Sequence, residues 1–223
     1  MTISRDTPKS LLFKHFARVA QAISHAARIE ILDLLAQGEK SVDAVARGSR
    51  LTLKNASAHL RILREAALVA TRRDGTRIYY RLAEPEVHAV LRAVQGLAER
   101  RLAEVREIVR DYFAADGQLE PVTMEELQAR LAADDVTLLD VRPPDEYAQG
   151  HIPGAISVPL SDLPRHLDTL PRDRQVVAYC RGAYCVLAVE AAALLARTGF
   201  TVRRLAHGMP DWAARGFPVE RQS

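Results

Sequence analysis

From residue 121 onward the chain alternates strand-like and helix-like pieces, and that alternation leaves little choice of fold. MEELQARLA reads as a helix, VTLLDV as a buried strand, AISVP and QVVAYC as further strands. VLAVEAAALLARTG then reads as a helix, TVRRL as a strand and MPDWAARG as a short helix. Strands separated by helices pair in parallel, and a parallel sheet needs helices over both faces.

The preceding half has another texture. Leu12, Phe16, Val19, Ala20 and Ile23 recur at helical spacing over residues 11–24, and a second helix is predicted over 26–36, with Gly38 as its stop. Ser41 suits an N-cap for a short helix over 42–47, ended by Gly48. Thr52 suits a cap for the next, 53–65, whose apolar side reads Leu53, Ala56, Leu60, Leu63 and Ala67. LVATRR and RIYYRL flank Asp74-Gly75, a hairpin signal. One long helix is predicted over 84–113, with an apolar stripe from Val87 to Val109. A small domain has nothing left to cover such a stripe, so a second subunit is the expected cover.

The polar break AADGQLEP, 114–121, marks the expected boundary, with one domain over 1–115 and another over 116–223. Charge divides at the same place: the first 115 residues carry 20 Lys and Arg against 13 Asp and Glu, the rest 11 against 15. A basic half with an acidic neighbour points to a polyanion as partner of the first. No run approaches the ~18 apolar residues of a membrane span, and the first residues lack the charged-then-apolar pattern of a secretory leader. The cytoplasm is the expected compartment, without a membrane partner. There the two cysteines, Cys180 and Cys185, read as reactive or ligating thiols before they read as a structural disulfide.

Short helices, a helix with a polar outer face and an arginine-bearing hairpin form a winged helix-turn-helix pattern. ASAHLRILREAALV followed by RRDGTRIYYRL resembles the ArsR/SmtB-type family of dimeric bacterial repressors, over about residues 13–113. The resemblance implies operator DNA as partner and a homodimer through helix 84–113. Short polar or basic side chains near the start of a recognition helix reach base edges in the major groove. Lys54, Asn55, Ser57, His59 and Arg61 suit that task, and Ala58 offers at most a methyl contact. Arg72, Arg73 and Arg77 of the wing suit phosphates or the minor groove.

Relatives of this kind often bind metal through cysteines or through Asp, His and Glu of the dimer helix. Here no cysteine precedes Cys180, and His88 lies eleven residues from Glu99, about 16 Å along a helix. His88 is read as a surface residue. No metal and no cofactor is expected.

LLDVRPPDEYAQGHIPGAISVPL, VVAYCRGAYC and GMPDWAARGFPVE resemble a rhodanese (sulfurtransferase) domain, from about Thr123 to Glu220. The resemblance implies a nucleophile at Cys180 that forms a persulfide. The fold class is thus an α+β winged helix-turn-helix domain with a long dimerisation helix, followed by an α/β rhodanese-like domain with a central parallel sheet.

A loop between a strand and a helix start turns N–H groups inward and stabilises a thiolate. Arg181, Gly182, Ala183, Tyr184 and Cys185 would cradle the charge, and Arg181 would help bind an anionic donor. Asp140 and Arg142 are read as braces, with Glu146 as an ion partner for Arg142. The loop departs from the family pattern: C-R-G-A-Y-C ends in Cys185 where a basic residue is common, which weakens any thiosulfate site. Cys185 reads either as a thiol that traps the sulfane sulfur in a disulfide or polysulfide bridge, or as a small buried hydrophobe. Three functions follow: a regulator that senses reactive sulfur from a small donor such as thiosulfate or polysulfide, a sulfurtransferase tethered to DNA, and a regulator with an inert rhodanese module.

Overall fold

The computed structural model describes residues 7–113 and 121–222. The chain divides into two compact units, Met1–Ala93 and Val94–Ser223. The domain boundary expected after residue 115 lies outside the described residues.

The first unit opens with α1 (Pro8–Ile23) and α2 (Ala26–Ala36). Strand β1 (Lys40–Ser41), α3 (Val42–Gly48) and α4 (Leu53–Glu65) follow. Thr7, Ser41 and Thr52 cap α1, α3 and α4 by accepting backbone N–H groups three residues on. Strands β2 (Val69–Asp74) and β3 (Arg77–Leu82) pair antiparallel around Asp74-Gly75, and β1, not foreseen from its two residues, pairs with β3. Gly75 takes a φ of 58°, which the tight turn demands.

Ile31, Leu32 and Leu35 of α2, Val45 of α3, and Ala56, Leu60 and Leu63 of α4 close on Val69 and Tyr80 of the hairpin. The buried side of α4 is narrower than the sequence pattern: Leu53 is 52% exposed in the first turn, and Ala67 lies past the helix end with a φ of 57°.

Helix α5 (Glu86–Arg101) begins as expected, but the long helix does not run unbroken to 113. Leu102 is extended, with φ −99° and ψ 120°, and α6 (Ala103–Ile108) restarts beyond it, passing into a π-helical turn over Val109–Phe113. The Arg106 guanidinium donates to the Arg100 carbonyl at 3.0 Å, a side chain taking an acceptor that an uninterrupted helix would use itself. His88, read as a surface residue, is buried. Val90, Val94, Leu97, Leu102, Ile108 and Tyr112 are exposed along 86–113, as are Leu11, Leu12, Phe13 and Phe16 on α1.

In the second unit, α7 (Met124–Ala132) leads into β4 (Val136–Asp140), α8 (Pro144–Gln149), β5 (Ile156–Ser157) and α9 (Leu163–His166). Strand β6 (Gln175–Tyr179), α10 (Val186–Arg197), β7 (Val202–Arg204) and α11 (Met209–Ala214) complete it. The strands form a parallel sheet in the order β5-β4-β6-β7. Side chains of β6 alternate between two cores: Val176, Ala178 and Cys180 join Ala188, Ala191 and Leu195 of α10. Val177 and Tyr179 join Leu127, Met209 and Trp212 on the other face. A strand buried on both faces is what the unbroken apolar run of QVVAYC calls for.

Candidate functional site

The loop that leaves β6 carries both cysteines. Cys180 is 2% exposed at the sheet's end, and Cys185 is the half-buried N-cap residue of α10. The Cys180 thiol faces the carbonyls of Gly182 and Cys185, at 3.8 and 3.6 Å, and Cys185 N–H closes the turn on Gly182 O at 3.1 Å. From outside, the Met209 N–H holds Cys180 O at 3.2 Å. Gly208 lies so close that a Cβ there would meet Arg181 O at 2.0 Å, so only glycine fits.

Acidity divides between the two sulfurs in a way the sequence reading did not anticipate. The hydrogen bond from the Cys180 thiol, aided by the N–H groups of Arg181 and Leu187 and the Arg181 charge, lowers Cys185 to about 7 against the cost of its burial. Burial first, then the neighbouring Cys185, pushes Cys180 well up. In this shared-proton arrangement the deeper Cys180 is the sulfur that keeps its proton and Cys185 is the more acidic of the two.

Arg181 is not free to meet a donor: it grips Glu146 through Nε and Nη2 at 2.8–3.2 Å, and the Glu146 carboxylate is 1% exposed. Arg142 is fully buried and forks onto Asp140, its Nη2 also reaching Gly150 O at 2.7 Å, and the charge of Glu146, its expected ion partner, acts on it as well. Burial opposes the Arg142 charge, but the hydrogen bonds and charge of Asp140, with Tyr179 and Glu146 adding to them, outweigh it and raise the guanidinium. Asp140 and Arg142 thus tie the end of β4 to Gly150, with the Arg142 guanidinium over the Tyr179 ring. Ala183 and Gly182 are half-buried. The Tyr184 hydroxyl, further along, donates to Glu99 Oε2 at 2.8 Å, and its ring meets Phe113 edge-on, both within the second unit.

A cavity of about 460 Å³ opens beside the loop, lined by Val141, Pro143, Pro159, Leu160, Arg181 and Leu187 among others. Its wall is apolar apart from the paired Arg181 and Ser161 and Asp162 at its edge.

In the first unit, Lys54, Asn55, Ser57, Ala58 and Arg61 stand on the exposed side of α4. Arg61 reaches Glu65 at 3.9 Å in a solvent-exposed pair. His59 does not join that row: it is half-buried and packs on His25, ring centroids 4.7 Å apart. Burial, then the neighbouring His25 and Arg28, lowers its imidazole. Arg72, Arg73 and Arg77 are all exposed on the wing. Glu39 and Asp74 hold Arg72, which lies over the Tyr79 ring, and Arg73 donates to Gly75 O at 3.0 Å.

Sequence families match both halves: residues 25–71 fit the arsR family of bacterial regulatory proteins, and residues 123–215 fit the rhodanese-like domain. An HTH-type transcriptional regulator of Mycobacterium tuberculosis is 44% identical over 212 residues, spanning 95% of this chain and 93% of the relative. The chain belongs to the ArsR family of transcriptional regulators. It is an ArsR-family regulator with a C-terminal rhodanese-like domain. A sulfurtransferase of Allochromatium vinosum is 39% identical over 100 residues, covering 44% of this regulator and 92% of that protein. A homodimeric winged helix-turn-helix DNA-binding domain from Mycobacterium bovis is 40% identical, with a TM-score of 0.42, covering 46% of this chain and 95% of that one. Among the described residues of the regulator, no helix is long and apolar enough to cross a membrane.

The sequence reading brought Cys180 and Cys185 to one loop and singled out Asp140 and Arg142 as its braces. It missed the engagement of Arg181 by Glu146, thirty-five residues away. It also passed over Gly208, although a glycine before the Met-Pro of a short helix is the kind of position where close backbone approach is required.

Proposed function

We propose that this ArsR-family regulator is a cytoplasmic homodimer that binds operator DNA and reads reactive sulfur through Cys180 and Cys185. The observation that carries the reading is the cysteine pair itself: two free thiols of one loop, the Cys180 thiol facing the Cys185 carbonyl at 3.6 Å, with Cys185 the more acidic of the two.

In the proposed chemistry the Cys180 sulfur attacks the outer sulfur of a persulfide, R–S–SH, and passes its proton to the Cys185 thiolate. One S–S bond forms, the donor's S–S bond breaks, and R–S⁻ leaves with the electron pair. The products are Cys180–S–SH and a Cys185 thiol. Cys185 then gives its proton to R–S⁻ and attacks the inner sulfur of Cys180–S–SH. HS⁻ departs, and a Cys180–Cys185 disulfide remains. The sulfane sulfur is the oxidant: it is reduced to HS⁻ as the two thiols are oxidised. A second sulfane sulfur taken up before closure gives a trisulfide instead.

The position of Tyr184 supports regulation as the purpose. It sits between the two thiols' ends of the loop and touches Glu99 and Phe113, so a reshaped loop acts directly on the 94–113 segment. Lys54, Asn55, Ser57 and Arg61 would read bases, and Arg73 and Arg77 would hold phosphates. The exposed apolar side chains of α1 and of residues 86–113 fit a second copy.

Intact-mass measurement of the reduced full-length protein after an organic persulfide, and separately after thiosulfate, tests this reading. Wild type is expected to lose two hydrogens in mass as it bridges, Cys185→Ser to gain one sulfur and keep it, and Cys180→Ser to gain none. Wild type unchanged by either donor overturns the reading.

A further inference from the structure

Strand β7 lies parallel to β6 with Arg204 opposite Ala178. Along β6 the residues Val176, Ala178 and Cys180 face the α10 side, and Val202 of β7 faces it with them, while Leu205 faces the other core. Arg204 stands two residues after Val202, so alternation puts it on the face of Ala178 and Cys180. From Arg204, the Cys180 position is about 5 Å across the sheet and two residues, about 6.6 Å, along it. An extended arginine spans that gap.

Arg204 is only 7% exposed. A buried guanidinium stays charged and needs a counter-charge. The other sheltered arginines of this unit have one: Arg142 has Asp140, Arg181 has Glu146 and Arg203 has Glu126. Among the described residues no carboxylate pairs with Arg204, whose one hydrogen bond goes to the Phe113 carbonyl, which carries no net charge. Burial lowers the guanidinium, and the charge of Cys180 is what opposes that effect.

We propose that Arg204 is the counter-cation of the Cys180 site, a positioning residue that stabilises first the thiolate and then the perthiolate of Cys180. The inference rests on the sulfur reading above for the second of those states, and on the fold alone for the first. It accounts for how a sulfur faced by two carbonyls, with its proton held in place, becomes anionic when it reacts. Arg204 supplies, beside Cys180, a positive charge that the loop's last position, Cys185, does not.

Other groups act on the same sulfur. Cys185 faces Cys180 across the loop, Ala188 N–H reaches it from α10, and Arg181 lies at the loop's start bound to Glu146. His207, in the turn after β7, has a buried Nδ1 without a hydrogen bond. Tyr179 precedes Cys180 on β6, with the Arg142 guanidinium over its ring and Asp140 bound to Arg142. The test holds all of these constant and varies only Arg204.

In full-length Cys185→Ser protein, Cys180 is the sole thiol, and its alkylation rate against pH reports its acidity. Adding Arg204→Gln, which keeps an N–H donor for Phe113 but no charge, is expected to move the inflection up by about one unit, about tenfold slower alkylation at pH 7. Arg204→Lys is expected to recover most of that loss, and Arg203→Met, on the opposite face, to leave the profile in place. Circular dichroism confirms the fold of each. A folded Arg204→Gln protein whose profile superposes on the parent overturns the proposal. Shifted profiles together with no sulfur uptake from an organic persulfide in any variant uphold Arg204 as the counter-cation of the thiolate and overturn the sulfur reading alone.

Discussion

The Tyr184 hydroxyl donates to Glu99 Oε2 at 2.8 Å, joining the cysteine loop to the 94–101 end of α5 within one compact unit. Eighty-five residues of chain separate the partners, so no local preference of the backbone puts them together. Tyr184→Phe keeps the ring against Phe113 and removes only the hydroxyl. Sulfur uptake by the variant is expected to match wild type, while the change in operator affinity on modification shrinks by about 1 kcal/mol, roughly fivefold. Fluorescence anisotropy of a labelled operator duplex, with and without prior persulfide treatment, measures it. An undiminished response in Tyr184→Phe removes this hydrogen bond from the coupling.

Acidity of the pair gives a pH signature. With Cys185 at about 7, its thiolate is the minor form at pH 6 and the major form at pH 8, so iodoacetamide labelling of Cys185 is expected to rise through an inflection near neutrality. Cys180→Ser weakens the hydrogen bond that is the main cause of the lowering, and the inflection should move up toward an ordinary thiol. Peptide mapping of the labelled site at each pH reads both profiles. An inflection for Cys185 that stays above pH 8 in wild type rejects the shared-proton arrangement.

Arg181 and Glu146 form a clamp. Glu146 is 1% exposed, and the guanidinium meets both of its oxygens. Arg181→Ala strands a buried carboxylate and is expected to lower unfolding stability by about 3 kcal/mol, seen as a fall in the urea midpoint. Arg181→Lys keeps the charge but not the fork and should recover only part of it.

Gly208→Ala tests how tightly the loop is held from behind. The added methyl would fall 2.0 Å from the Arg181 carbonyl, a backbone atom that cannot swing away. A cost of about 3 kcal/mol is expected, together with slower sulfur uptake because Cys180 and Arg181 must shift. Thermal unfolding and intact mass after persulfide measure the two effects separately.

Much of this architecture was legible in the sequence because it rests on local signals. Thr52 before an apolar-periodic run, Asp74-Gly75 between two arginine-bearing strands, and the apolar run QVVAYC each specify an element through backbone preference and burial pattern alone. Cys180 and Cys185 were legible as one site because a single loop holds both. What the sequence reading missed depends on distant partners. The sequence does not show that Glu146 holds Arg181, nor does it mark Arg204, with which no carboxylate pairs among the described residues. The break at Leu102 carries no proline, and glycine is absent there too, so helical periodicity runs through it unmarked. The inward turn of His59 goes with its packing on His25, the cap residue ahead of α2 and thirty-four residues earlier.

Among the DNA contacts, Arg73 and Arg77 separate from Asn55 by what they would touch. Arg77 is exposed on β3 and Arg73 beside it on β2, opposite Ile78. On a hairpin that reaches toward phosphates, either one neutralises charge without reading sequence. Arg77→Ala is therefore expected to weaken binding to matched and mismatched duplexes alike, and to lower the slope of log affinity against log salt by about one. Asn55, exposed in the first turn of α4, is placed to meet a base edge. Asn55→Ala should cost about 1–3 kcal/mol on the preferred operator and little on random duplex, leaving the salt slope unchanged. Titrations at several salt concentrations, on an operator selected by the protein from a random duplex library, distinguish the two. If both variants lose affinity equally on every duplex, α4 is not the reading helix, and the sequence preference must come from the shape of the DNA.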